Sequence, residues 1–111
     1  MGLRQERLAD EIRDVLAMCF QAGRMEDPRL AGVTITAVKL TGDLQLASVY
    51  FRVYGDDAAA AEKGLISASS FLRRHLAESV EMRRVPGLRF FFDEAIERGS
   101  RIEELLSKLN R

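Results

Sequence analysis

The chain is short of the residues on which catalytic and metal sites are usually built, with one histidine, one cysteine and no tryptophan among 111 residues. A zinc cluster or a Cys/His nucleophile pair is poorly supported by that inventory, and Cys19 and His75 fall on different expected helices. There is no Gly-x-Ser-x-Gly elbow and no phosphate loop ending in Gly-Lys-Ser or Gly-Lys-Thr. No cofactor is expected. A lone cysteine closes no internal disulfide, which fits a reducing compartment. No stretch approaches the roughly 20 apolar residues of a membrane span. The start Arg4-Gln5-Glu6-Arg7 carries charge where a signal peptide needs an apolar run, and Glu6 stands where a myristoylation signal takes Ser or Thr. A soluble cytoplasmic protein with no membrane contact is expected. Charge of one sign is also missing: Lys plus Arg and Asp plus Glu are both 17. Any nucleic-acid signal must therefore be local.

The 47% hydrophobic content suffices for one core, so residues 1–111 read as a single domain. Leu8, Ile12, Val15, Leu16, Cys19 and Phe20 recur at helical steps, with Gly23 as a stop and Cys19 as a core thiol. Asp27-Pro28 makes a loop. Val33 to Leu40 is a β-branched strand with both faces at least partly covered. Thr41-Gly42-Asp43 is a three-residue hairpin turn into a second strand, Leu44 to Tyr54, with Ala47, Val49, Phe51 and Val53 facing the core. Asp56 or Asp57 caps the next helix. Its stripe Ala61, Leu65, Ala68, Leu72, Leu76 and Val80 is too long for a domain of this size, so a break is expected at Ser67-Ala68-Ser69-Ser70. Pro86-Gly87 turns into a third strand, Leu88 to Phe92, whose three phenylalanines are expected to be buried in the core. Beyond Gly99, the residues Ile102, Leu105, Leu106 and Leu109 form a terminal amphipathic stripe, so 96–111 reads as a loosely packed helix. The class is α+β, with helices layered on a three-stranded sheet.

Between Glu62 and Phe92, Lys63, Arg73, Arg74, Arg83, Arg84 and Arg89 outnumber Glu62, Glu78 and Glu81 by 6 − 3 = 3. Arginine grips phosphate through two parallel hydrogen bonds and stacks on bases, so this segment is the candidate RNA surface. The competing reading is that Arg83 and Arg84 only compensate a helix dipole. His75 is expected on an exposed helical position, with RNA contact as the alternative. Asp93 and Glu94 are expected in a solvated loop, because adjacent carboxylates do not converge as an acid/base pair.

Asp27-Pro28-Arg29-Leu30, Val33-Thr34-Ile35-Thr36, Asp43-Leu44 with Ala47, Val49 and Tyr50, then Leu72-Arg73, Leu76, Arg83, Pro86, Leu88, Phe90, Asp93, Gly99, Ile102 and Leu105-Leu106 together resemble the ribosome-binding factor A family. The resemblance covers nearly the whole chain. It implies a type II KH-like domain that binds the small ribosomal subunit and its rRNA during late maturation, without catalysis, and that supports growth in the cold. The glycines, at 2, 23, 32, 42, 55, 64, 87 and 99, include no Gly-x-x-Gly pair. The family carries an Ala-x-Gly kink instead, which Ala68-Ser69-Ser70 matches except for serine in place of glycine. The resemblance further implies that the kinked pair faces rRNA, that Arg4 and Arg7 extend the contact, and that assembly GTPases are partners. A monomer is expected. The alternative is a protein-interaction module acting through the terminal helix.

Overall fold

Apolar residues at steps of three and four in the first 21 positions put Ala9, Ile12, Leu16 and Cys19 on one buried face of helix α1, Leu3–Gln21. The computed structural model describes residues 3–22, 25–55 and 57–94. Gly23, Asp56 and the terminal stripe from Ile102 to Leu109 lie outside the described residues. Helix α1 packs along strand β1 (Val33–Leu40), and Gln5 Nε2 donates to the Leu40 carbonyl at 2.6 Å, tying the helix's first turns to the strand's end. Cys19 is a buried thiol within the core cluster.

Strand β1 pairs antiparallel with β2 (Leu46–Val53), and β2 pairs in parallel with β3 (Gly87–Phe92), giving the order β1-β2-β3. Parallel neighbours need a long crossover, which the helix pair between β2 and β3 supplies. The central strand carries the best-buried side chains of the sheet, Ala47, Val49 and Phe51, at 0%, 0% and 1% exposure. In β1 the buried positions change from odd to even, Val33 and Ile35 followed by Val38 and Leu40, because the register shifts between Ile35 and Ala37. A bulge at Thr36 produces this switch: one extra residue turns the later side chains to the opposite face. Alternation alone reads such a strand as covered on both sides.

The hairpin connection is longer than the expected three residues. It runs from Thr41 to Gln45, and the residue with positive φ is Leu44, at 61°, not Gly42. Thr41 Oγ1 donates to Asp43 Oδ1 at 2.6 Å, and the same carboxylate oxygen accepts the Gln45 amide at 3.0 Å. These side-chain bonds replace the turn chemistry that glycine would offer.

Asp57 caps helix α2 (Ala58–Ser67), its carboxylate accepting from the Ala60 amide at 2.9 Å. Helix α3 is Ser69–Ser79, and Ala68, with ψ near 0°, separates the two at the expected place. The Ala68 amide is shared between the carbonyls of Gly64 and Leu65, at 3.0 and 3.1 Å, while its own carbonyl starts α3 by accepting from Leu72. No side-chain cap takes part. The break is therefore a backbone adjustment at the alanine, not the serine-hydroxyl competition that the composition suggests. Ala61, Gly64 and Leu65 of α2 and Leu72 and Leu76 of α3 face the core. Gly64 lets the 3-10 turn Pro28–Leu30 come close, since a Cβ there would stand 3.0 Å from Leu30 Cδ2.

Candidate nucleic-acid interface

Arg4 and Arg7 lie three residues apart on α1 and so project from neighbouring positions of one helical face. Across from them, the segment after α3 presents Arg83 and Arg84, and the β1–β2 loop closes the space with Asp43 and Leu44. The three elements enclose an open groove of about 1110 Å³ that all four arginines line. Glu11, Asp43 and Glu81 share the lining, so the groove is positive by 4 − 3 = 1 charge. Its cations are spread over two walls and its acids over three elements.

All three elements are pinned, α1 by the bond from Gln5 Nε2 to the Leu40 carbonyl. Thr41 and Asp43 fix the loop as described above, and the hydrogen bond from the Thr41 hydroxyl, followed by that from the Gln45 amide, holds the Asp43 carboxyl below the usual carboxylate range. The opposite wall is fixed from α3: Arg73 Nε donates to the Pro86 carbonyl at 3.3 Å and its Nη2 to the Val85 carbonyl at 3.2 Å. Pro86 is fully buried, and the Gly87 amide donates to the Gln45 carbonyl at 2.8 Å, linking this wall back to the hairpin.

The sequence-derived candidates consequently separate. Arg4, Arg7, Arg83 and Arg84 meet in one groove. Arg73 is exposed but committed to backbone carbonyls, so it supports the wall that carries Arg83 and Arg84. Arg74 is exposed on α3, and neither it nor Ala68, Ser69 and Ser70 at the kink lines the groove. Close to Arg74, the rings of Phe71 and His75 stack with centroids 6.3 Å apart and planes 6° from parallel. His75 is therefore half-buried rather than freely exposed.

Two further expectations need correction. Asp93 does not sit in a solvated loop: its carboxylate accepts from Thr36 Oγ1 at 2.6 Å, its amide donates to the Phe51 carbonyl, and its carbonyl accepts from Arg52. The bulge that exposes the Thr36 hydroxyl creates this anchor. The three phenylalanines of β3 are not all core either. Phe90 is buried and Phe92 half-buried against the core, whereas Phe91 is 43% exposed on the sheet's outer face. Strand alternation forces the odd one out.

This arrangement, an α-β-β-α-α-β order with helices on one side of a mixed sheet and no Gly-x-x-Gly loop, defines a KH-like domain of the α+β class. A family model described as ribosome-binding factor A matches residues 4–106. The ribosome-binding factor A of Geotalea uraniireducens is 40% identical over 112 aligned positions, covering 99% of this chain and 91% of that protein. Among solved structures, the crystal structure of ribosome-binding factor A from Thermus thermophilus superposes with a TM-score of 0.75 at 35% identity, covering 82% of this chain and 97% of that one. A Thermus thermophilus homology model fitted into a cryo-electron-microscopy map of a 30S–RbfA complex gives a TM-score of 0.68 at 36% identity, covering 81% and 96% of the two chains. The chain belongs to the ribosome-binding factor A family.

No helix among the described residues is long and apolar enough to cross a membrane.

Proposed function

We propose that this chain binds the small ribosomal subunit during its late maturation and acts there by binding, without covalent chemistry. The observation that carries this reading is the groove in which Arg4, Arg7, Arg83 and Arg84 converge from two walls. It is supported by a relative fitted into a map of a 30S–RbfA complex. Two opposed arginine pairs can straddle a phosphate backbone and use its oxygens to set orientation, while carrying no base specificity themselves. Selectivity then comes from shape: the pinned walls fit an RNA surface that only the folded subunit presents.

Binding of this kind directs assembly only through a difference in affinity between immature and mature particles, since equal binding shifts no equilibrium. Arg74 and the kinked helix pair offer a second contact, and assembly GTPases are partners that would exploit the factor's release. The factor acts as a monomer in the cytoplasm and matters most for growth in the cold. Sedimenting the protein with purified small and large subunits tests the reading. Small-subunit association is expected, and an Arg83→Ala/Arg84→Ala variant should lose most of it while melting like the parent. Equal association with both subunits would reject the assignment.

A further inference from the structure

The face of the sheet turned away from the helices carries a pattern that the groove does not use. Across the three strands, Lys39, Ser48 and Arg89 stand in one registered row, and Ala37, Tyr50 and Phe91 stand in the next. Rows on one face are two residues apart, about 6.6 Å along the strands. The outer row is thus a hydroxyl between two exposed cations, and the inner row two aromatic rings beside a methyl group. The rings of Tyr50 and Phe91 lie 5.7 Å apart at an angle of 32°, and the Lys39 ammonium sits 5.7 Å over the Tyr50 ring. Lys39 thus covers Tyr50 and leaves Phe91 as the open ring. Asp93, just past the end of β3, is engaged with Thr36.

We infer that this outer sheet face stacks an unpaired RNA base on Phe91, with Lys39 and Arg89 holding the flanking phosphates. An exposed phenyl ring offers a π-face that any nucleobase can cover, and the cations beside it supply the electrostatic attraction that single strands require. A protein partner would match the aromatic pair, but a cationic row beside it favours a polyanion. The inference takes RNA as the partner class from the proposed function and adds a further surface, remote in kind from the arginine groove: it reads an extruded base, whereas the groove reads backbone shape.

The test uses the full chain and a short labelled single-stranded oligoadenylate, titrated at several salt concentrations alongside a duplex of the same length. Phe91→Ala should weaken single-strand binding by at least about fivefold, the scale of one aromatic stack, while leaving its salt dependence and the duplex affinity unchanged. Phe91→Tyr should restore binding. Lys39→Ala/Arg89→Ala should instead flatten the salt dependence, as loss of phosphate contacts does. Ultraviolet crosslinking should attach the oligonucleotide to Tyr50 or Phe91. Unchanged affinity in Phe91→Ala, or crosslinks only elsewhere, would overturn the inference, including the case in which another part of the chain or a protein covers this face. Thermal midpoints of all variants exclude unfolding as the cause, and Phe91→Tyr with the Lys39/Arg89 pair decides the matter if Phe91→Ala melts early. Failure here leaves small-subunit binding through Arg83 and Arg84 intact, whereas failure of that reading shows as lost subunit preference with the Phe91 effect retained.

Discussion

Arg73 and Pro86 are joined by a hydrogen bond of 3.3 Å from the guanidinium Nε to the proline carbonyl, with a second from Nη2 to Val85 at 3.2 Å. One exposed arginine on α3 therefore holds the segment that carries Arg83 and Arg84. Neighbouring arginines in the sequence have different tasks, since Arg74 makes no such bond among the described residues.

Arg73→Ala should accordingly lower stability by about 1 kcal/mol, the net worth of a typical hydrogen bond or two at a partly buried site. Arg74→Ala should change it by less than about 0.5 kcal/mol, as surface substitutions do. Denaturant midpoints of the two single variants measure the contrast. Equal midpoints would show that the loop holds its position without Arg73.

Gly64 should not tolerate alanine, although alanine is favoured over glycine in a helix by about 1 kcal/mol. The added Cβ would stand 3.0 Å from Leu30 Cδ2 and 3.2 Å from Arg29 Cβ, and Leu30 is only 3% exposed, so it has little room to move. Overpacking costs about 1–3 kcal/mol, which exceeds the propensity gain. A net loss of about 1 kcal/mol is expected by thermal or urea unfolding.

Much of this architecture was legible in the sequence, and the parts that were not share a cause. Strand β1 has the limits that β-branching predicts, and the helix pair separates within the Ser67 to Ser70 stretch, because periodicity and chain length act locally. The Thr36 bulge, the exposure of Phe91 and the engagement of Arg73 with Pro86 each depend on partners distant in the chain: Tyr50 and Asp93 for the first, the outer sheet face for the second, a packed loop for the third. The signal for the bulge was present, in the change from Val33 and Ile35 to Val38 and Leu40, but alternation by itself does not distinguish a bulge from a strand covered on both faces. For the site, Arg73, Arg74, Arg83 and Arg84 stood out by local charge density and Arg4 and Arg7 only through the family resemblance, whereas the gathering of four of them in one groove and the engagement of Arg73 with the Val85 and Pro86 carbonyls required the fold.

Acid should weaken the protein partly through Asp27 and Asp43. The side-chain hydrogen bond from Arg29, then that from its backbone amide, lowers the Asp27 carboxyl, and Thr41 and Gln45 lower that of Asp43, below the ordinary value of 3.8. A carboxyl whose folded value is depressed adds stability that is fully present above its unfolded value and is lost as pH falls through the folded one. Both contributions should hold at neutral pH and fade below about pH 4. Carboxyl titration by NMR should place both groups below the ordinary aspartate value, and Asp43→Asn should flatten the acid limb of a stability profile. A normal titration of both would remove the hairpin and the 3-10 turn as acid-sensitive points.

The groove predicts a specific kind of salt dependence. Four arginines on two walls can neutralise only a few phosphates, so affinity for the small subunit should fall with salt along a slope of roughly −0.9 per phosphate contacted, or roughly −0.7 for single-stranded segments. Removing Arg83 and Arg84 should reduce that slope by about 2 and weaken binding at low salt, and removing Arg4 and Arg7 should do the same if the opposed wall shares the backbone. Arg74→Ala should reduce it by about 1 at most, through the separate α3 contact. The two groove pairs should also couple, the quadruple variant losing less than the sum of both doubles, because a backbone released by one wall is no longer held against the other. Additive losses with independent slopes would mean that the walls contact different RNA segments, and a slope indifferent to all four would remove the groove from the binding surface.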